Sequence, residues 1–227
     1  IELSVEIGRL SYQNDEENSK FKIKLLERAR LLSNAQNKLK KLKDLLNNVS
    51  PSPFSLFYCG DGEVESSETN EYERQITEVS KILDESGWKI SRFTSREPKS
   101  KRKIILNEFK SQIIESLVAI KCLDEGIDIP ACKVAFIIAS TSNPRQFIQR
   151  RGRILRKFKG KEKAEIYDFL VYAPRDKKDN VDSYEKRLVE RELKRIAEFS
   201  NLSLNYGQSH ASIKHILEMY NLEHLLV

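Results

Sequence analysis

Cysteine, proline and glycine are all scarce in this chain, with three, six and eight copies among 227 residues. So few breakers exclude collagen-like and low-complexity chains. Cys59, Cys122 and Cys132 are odd in number, lack C-x-x-C spacing and lie inside apolar segments. They read as buried reduced thiols of an intracellular protein, not as a disulfide framework or a metal site. No apolar run approaches the roughly 18 residues of a membrane-spanning helix, and no short apolar stretch follows basic residues at the start. Neither a membrane span nor a signal peptide is expected. His210, His215 and His224 are without i,i+4 spacing or a cysteine or acidic partner, so no metal site is expected there. A phosphate loop of the form G-x-x-x-x-G-K-[ST] is missing too, Gly160-Lys161-Glu162 being the nearest string.

Charged residues make up 33% and apolar ones 39%, enough for one main folded domain with a heavily solvated surface. The net charge of +6 suits a polyanionic partner, and plain solubility explains it almost as well. Opening on Ile1 rather than Met, the sequence is expected to be a piece of something longer.

Apolar residues every three or four positions predict a helical segment over Lys20–Asn47, interrupted near Ser33-Asn34. Ser50-Pro51-Ser52-Pro53 ends it. Short apolar runs then alternate with helical stretches. Strands are predicted at Phe54–Cys59, Trp88–Phe93, Leu117–Ile120, Val134–Ile138 and Ala164–Tyr172, with an acidic loop over Gly60–Asn70. Helices are predicted around Tyr72–Ser86 (stopped by Gly87), from Pro98 through Phe109, and from Asn143-Pro144 onward. Such alternation requires a mostly parallel sheet covered on both faces, so the fold class is α/β. Beyond Pro174 a charged linker precedes two amphipathic helices, Tyr184–Phe199 and Ser209–Leu217, separated by Asn205-Tyr206-Gly207; they are expected to be packing appendages, the alternative being a partner-binding or nucleic-acid-facing role.

Ligands of such sheets gather at the carboxyl ends of the strands. After the third strand comes Glu125-Gly126-Ile127-Asp128-Ile129-Pro130, where Gly126 permits close backbone approach and Asp128 offers a carboxylate. After the fourth comes Gln149-Arg150-Arg151-Gly152-Arg153-Ile154-Leu155-Arg156. Helical spacing puts Gln149, Arg153 and Arg156 on one face, with Ile148, Ile154 and Leu155 available as inward anchors. No acid lies between Arg145 and Gly160, so these guanidinium groups lack a local counter-ion and suit phosphate oxygens.

Together the two segments resemble motifs V and VI of the superfamily 2 helicases and translocases, found in the second RecA-like lobe. Phe54–Cys59 stands where motif IV does, and the ending Gly-Arg-Ile-Leu-Arg is most similar to DNA-directed members of restriction and repair type. Leu155 replaces the glycine of the DEAD-box branch, and Ile120 replaces a threonine that contacts the backbone in many members.

The resemblance implies a RecA-like lobe over residues 50–174, a helical connection from the first lobe over 1–49, and a helical extension over 175–227. It implies that Arg153 and Arg156 are arginine fingers toward the γ-phosphate of ATP, and that Gln149 and Arg150 couple hydrolysis to closure. Gly126 and Asp128 would lie near the nucleotide, and Thr94, Ser95 and Arg102 on the nucleic-acid backbone. Arg151 would face solvent. The implied function is the second motor lobe of an ATP-dependent DNA helicase or translocase, with the first RecA-like lobe as partner. ATP and Mg2+ would be held mainly by that lobe, DNA would be preferred to RNA, and the location would be cytoplasmic, at the nucleoid for a DNA-directed protein. Asp124-Glu125 imitates a DExx box but belongs to motif V. This stretch alone, lacking both Walker motifs, is expected to be inactive. The alternatives are an RNA helicase lobe and a non-catalytic RecA-like module that binds nucleic acid or protein.

Overall fold

The computed structural model describes residues 23–24, 27–28, 31–60, 63–65, 72–120, 132–139, 144–172 and 183–226. They fall into two compact units. Residues 30–169 form one, and residues 1–29 with 170–227 form the other.

In the first unit, α1 (Asn37–Leu46) leads to β1 (Ser55–Cys59), then to β2 (Glu63–Glu65) and β3 (Tyr72–Arg74). These are followed by α2 (Gln75–Glu85), β4 (Ile90–Phe93), α3 (Lys99–Lys110), β5 (Ser116–Ile120), β6 (Val134–Ile137), α4 (Pro144–Ile154) and β7 (Glu165–Asp168). Five strands form one sheet in the order β4-β5-β1-β6-β7, and every pairing is parallel. The α/β architecture with a parallel sheet, expected from the alternation of apolar runs, is present.

A strand buried on both faces must alternate its side chains between two cores. Leu56 and Tyr58 of β1, Leu117 and Ala119 of β5, and Ala135 and Ile137 of β6 join Ile105 and Phe109 of α3 and Ile154 of α4. Phe57 and Cys59, Val118, and Phe136 and Ile138 point the other way, to Leu39, Leu42 and Leu46 of α1 and Ile76, Val79 and Leu83 of α2. The second core is centred on Phe136, stacked on Phe57 at 4.3 Å and on Tyr167 at 4.8 Å. Trp88 meets it edge-on at 6.1 Å. Helix α1 belongs to this core. Cys59 and Cys132 are buried free thiols, as their apolar surroundings predict, and Cys122 lies outside the described residues.

Gly87 stops α2 as its type predicts. With φ +77 it takes the left-handed turn, while its N–H donates to Asp84 O and that of Trp88 to Leu83 O, which satisfies two terminal carbonyls. Three local readings are corrected. Tyr72–Arg74 does not begin a helix but pairs antiparallel with Glu63–Glu65, inside the expected acidic loop. Two three-residue strands are too short for their alternation to register as a pattern. The last strand is confined to Glu165–Asp168, against the expected Ala164–Tyr172, because β6 offers partners only to Ile137. Asn205-Tyr206-Gly207 does not separate two helices widely; the second helix already starts at Tyr206, directly after Asn205.

The second unit contains α5 (Ser183–Asn201), α6 (Tyr206–Tyr220) and a 3-10 turn (Glu223–Leu226). Val189 and Leu193 pack with Ile213, Ile216, Leu217 and Tyr220. One buried polar contact joins this pair, the Tyr220 hydroxyl donating to Glu185 Oε1 at 2.7 Å; within α5, Arg195, 1% exposed, pairs with Glu192 at 2.8 Å. His210 contacts Asn201 and His215 stacks edge-on against Tyr172, both ordinary surface and packing roles. Among the described residues no group of side chains is arranged to hold a metal ion, and no helix is long and apolar enough to cross a membrane.

Phe136 fills the space between two stacked rings and one edge-on ring. Phe136→Ala is expected to cost about 3–5 kcal/mol of unfolding free energy, measured by urea denaturation, whereas exposed Ile113→Ala is expected to change it by less than about 0.5 kcal/mol. Burial also pushes the Cys132 thiol up to about 12. A raised folded-state value contributes stability below the ordinary thiol range that is lost as pH rises toward 12. Stability between pH 9 and 11 should therefore fall less steeply in Cys132→Ala than in the parent chain, read as the pH slope of the melting temperature.

Candidate functional site

Two groups of polar residues mark opposite edges of the sheet. At the carboxyl edge, β1 ends on Gly60, whose N–H donates to Gln75 Oε1 at 2.6 Å. Gln75 is fully buried, and its amide nitrogen donates to Ser33 O at 2.9 Å. A Cβ at position 60 would stand 2.7 Å from Asn34 Oδ1. Gly60 is there because the Ser33-Asn34 segment approaches the strand end that closely. The helix interruption read at Ser33-Asn34 is thereby explained: α1 does not begin until Asn37, and the preceding residues turn to meet β1.

Beside it, β4 ends on Phe93 and delivers Thr94. The Thr94 N–H and hydroxyl both donate to Glu97 Oε2, at 2.6 and 2.7 Å. The Thr94 hydroxyl oxygen in turn accepts from the N–H of Arg96 at 3.2 Å. Thr94 is half-buried, Ser95 exposed and Arg102 half-buried one turn into α3. Around Arg102, Lys99, Lys101 and Lys103 are exposed, so the start of α3 is a basic surface. Gly126 and Asp128 lie outside the described residues.

The arginine segment is placed differently from its expectation. Helix α4 starts beyond the carboxyl end of β6, but an 11-residue helix is about 16 Å long, the length of the strands it covers. It carries Arg153 and Arg156 across the sheet to the amino edge, where Lys161 reaches back to α4 from beside Cys132, two residues ahead of β6. Of the three apolar residues read as inward anchors, only Ile154 is buried, at 1% exposure; Ile148 and Leu155 are 46% and 50% exposed. Their spacing of seven puts both on the outer face. Arg156 does not continue the face of Arg153 either. The helix ends at Ile154, and the Arg156 N–H donates to Arg153 O at 3.4 Å.

Arg153 is half-buried, and its Nη1 is enclosed with no hydrogen-bond partner among the described residues. Burying a guanidinium N–H without an acceptor is costly. Gln149 and Arg156 are exposed. Arg151, read as a solvent-facing position, is half-buried instead. Arg150 lies within α4, its side chain outside the described ones.

Several contributors carry no sequence signal. Gln75 looks like any polar residue at a helix start, and Glu97 like an ordinary surface acid. Lys38 sits in a run of lysines yet is buried, donating to Ile138 O at 2.8 Å just past the end of β6. Lys161 was only a fragment of a failed phosphate-loop pattern. It donates to Ile154 O and, at 3.1 Å, to Arg156 O, and its burial lowers its pKa.

A parallel sheet wound in both directions from β1 and flanked by helices is the arrangement of a RecA-like lobe. Residues 37–158 match the helicase conserved C-terminal domain, and the chain belongs to that family, the C-terminal lobe of superfamily 2 helicases. The DNA 3'-5' translocase XPB2 of Sulfurisphaera tokodaii is 29% identical over 124 residues, 55% of this chain and 24% of the translocase. Dicer-like protein 2 of Pyricularia oryzae is 44% identical over 50 residues, 22% of this chain and 3% of that protein. The structure of the RNA-helicase Prp28 from Chaetomium thermophilum bound to ADP matches with a TM-score of 0.49 and 18% identity, covering 74% of this chain and 35% of that one. The chain thus spans about a quarter of the translocase and a far smaller share of the Dicer-like protein.

The packing at Gly60 gives a direct check. Gly60→Ala drives its Cβ onto Asn34 Oδ1, while Gln75→Ala leaves the Gly60 N–H and Ser33 O unmet, and each is expected to destabilise the fold by about 1–3 kcal/mol. In the double mutant the losses should fall short of their sum, because both changes disrupt one cluster; chemical denaturation of the four proteins reads this coupling.

Proposed function

We propose that this chain is the second motor lobe of an ATP-dependent DNA helicase or double-strand translocase, completing a nucleotide site with Arg153 and Arg156. The observation that carries the reading is the enclosed, unpartnered Nη1 of Arg153 at the end of a helix with no acidic residue from Arg145 to Gly160. A phosphate oxygen is the acceptor that such a fork fits. ATP with Mg2+ supplies the phosphoryl group whose developing charge these guanidinium groups would stabilise. Gln149 and Arg150, in the preceding turn of α4, would face the nucleotide-carrying lobe and link closure to turnover. Gly126 and Asp128 would complete the nucleotide side.

At the carboxyl edge, the basic start of α3 around Arg102 would hold a nucleic-acid backbone, with Ser95 beside it. Such contacts are sequence-independent and weaken with salt. The donors of Thr94 are engaged by Glu97, so a phosphate there would have to displace that carboxylate. The two functions would therefore occupy opposite edges of one sheet, with α3 and α4 on the same face between them. The name of the archaeal relative supports DNA as the track. The sequence supplies no phosphate loop, so the catalytic magnesium site would come from a first lobe.

Arg153→Ala and Arg156→Ala, made in the longer protein, are expected to lower ATP turnover by about a hundredfold or more while leaving DNA affinity within a few-fold. Parallel loss of both would favour a plain basic patch. The 227-residue chain alone is expected to show no ATPase above background. Titrating the longer protein with duplex DNA and duplex RNA of one sequence decides the track, tighter RNA binding replacing the DNA assignment.

A further inference from the structure

Helical geometry does not explain how Arg156 is placed. Helix α4 closes at Ile154, and Leu155 still bonds back to Arg151 O at 2.9 Å. The Arg156 N–H donates to Arg153 O at 3.4 Å, past the regular ladder, and the side chains of Leu155 and Arg156 are exposed. Leu155 thus keeps the last bond of the helix ladder, and Arg156 lies beyond it. Lys161 fastens the backbone on both sides of this end. It lies five residues on, after a tight turn in which its own N–H donates to Phe158 O at 3.0 Å and Phe158 bridges back to it. From there its ammonium group donates to the carbonyls of Ile154 and Arg156, one on each side of the helix end. Unsatisfied carbonyls at a helix end carry partial negative charge, so a cation there is favoured in charge as well as in hydrogen bonding.

We infer that Lys161 is a positioning residue for the arginine pair, clamping the backbone on both sides of the helix end so that Arg153 and Arg156 converge on one anion. This inference rests on the arginine reading given above. Lys38 makes a corresponding contact on Ile138 O just past β6, so one lysine fastens the chain where it leaves β6 and another where it leaves α4. Two features distinguish Lys161 from a generic surface cap. Its two acceptors lie on either side of the helix end that joins the arginines, and the amine is partly desolvated beside Cys132. A group held in that way sets direction, because a displacement of about 1 Å in a positioned catalytic charge costs up to about a hundredfold in rate.

Lys161→Met keeps the stem and removes the donors, and Lys161→Arg restores a cation able to bridge two carbonyls. In this chain, hydrogen exchange at the Leu155 and Arg156 amides is expected to quicken about tenfold or more in Lys161→Met and return toward parent rates in Lys161→Arg. Amides of β1 and β5 should keep their rates, and the melting temperature should move by only a few degrees. In the longer protein, Lys161→Met should lower kcat for ATP about tenfold or more with KM changed less than about threefold, and Lys161→Arg should recover most of it. Unchanged exchange at Arg156 overturns the clamp. So does a kcat equal to the parent's in Lys161→Met when Arg153→Ala abolishes turnover, and so does a global loss of melting temperature that accounts for the lower rate. Turnover untouched by Arg153→Ala would instead remove the arginine reading and this inference with it, whatever the exchange data show.

Discussion

Strand β1 sits at the centre of the sheet, hydrogen-bonded to β5 on one side and β6 on the other, with all five of its residues buried. A strand with neighbours on both edges and no solvent on either face leaves its side chains no freedom of destination. Leu56 and Tyr58 must go to the core under α3 and α4, and Phe57 and Cys59 to the core under α1 and α2. Registers of β5 and β6 follow from β1, and the positions of the covering helices follow from those. The aromatic stack of Phe57, Phe136 and Tyr167 runs across three neighbouring strands because period-2 alternation brings one ring per strand to the same face.

With the layers set, polar groups work on the backbone where regular elements stop. Gln75 bridges Ser33 O and the Gly60 N–H at the end of β1, Glu97 ties down Thr94 at the end of β4, and Lys38 holds the carbonyl of Ile138 after β6. Lys161 does the same at the end of α4. Each meets backbone groups that the ladder leaves open at strand and helix ends, which is the general cost of terminating an element near the interior. The charged residues of this chain are thus of two kinds. Most, such as Lys40, Lys41 and Lys43 on α1, are solvated, and a few fasten the chain where strands and helices end.

The fold class was legible because it rests on patterns that repeat: the apolar runs of β1, β5 and β6, the three-and-four spacing of α1 and α2, and the stop at Gly87. The β2 and β3 pair was not, since three residues per strand leave no period to read. Exposure along α4 was half legible. Ile154 is where its spacing puts it, but Ile148 and Leu155 face outward, because the helix lies on the sheet by one narrow stripe and hydrophobicity does not state which stripe that is. The motif residues were legible as a family resemblance; that Arg156 lies beyond the helix was not, because helix ends are decided by where the backbone finds its next partner.

Residue order alone set the alternation of strands and helices, the two-faced burial of a parallel sheet and an arginine segment without counter-charges, since these depend on local spacing and side-chain chemistry. Tertiary structure decided which edge of the sheet each polar group reaches. A helix as long as the strands it crosses moves Arg153 from the carboxyl edge, where its segment begins, to the amino edge beside Cys132. It also decided the partners of Lys38, Gln75 and Lys161. Hydrogen bonds between residues up to 100 positions apart depend on how the layers stack, and no local property of a lysine or a glutamine encodes that distance.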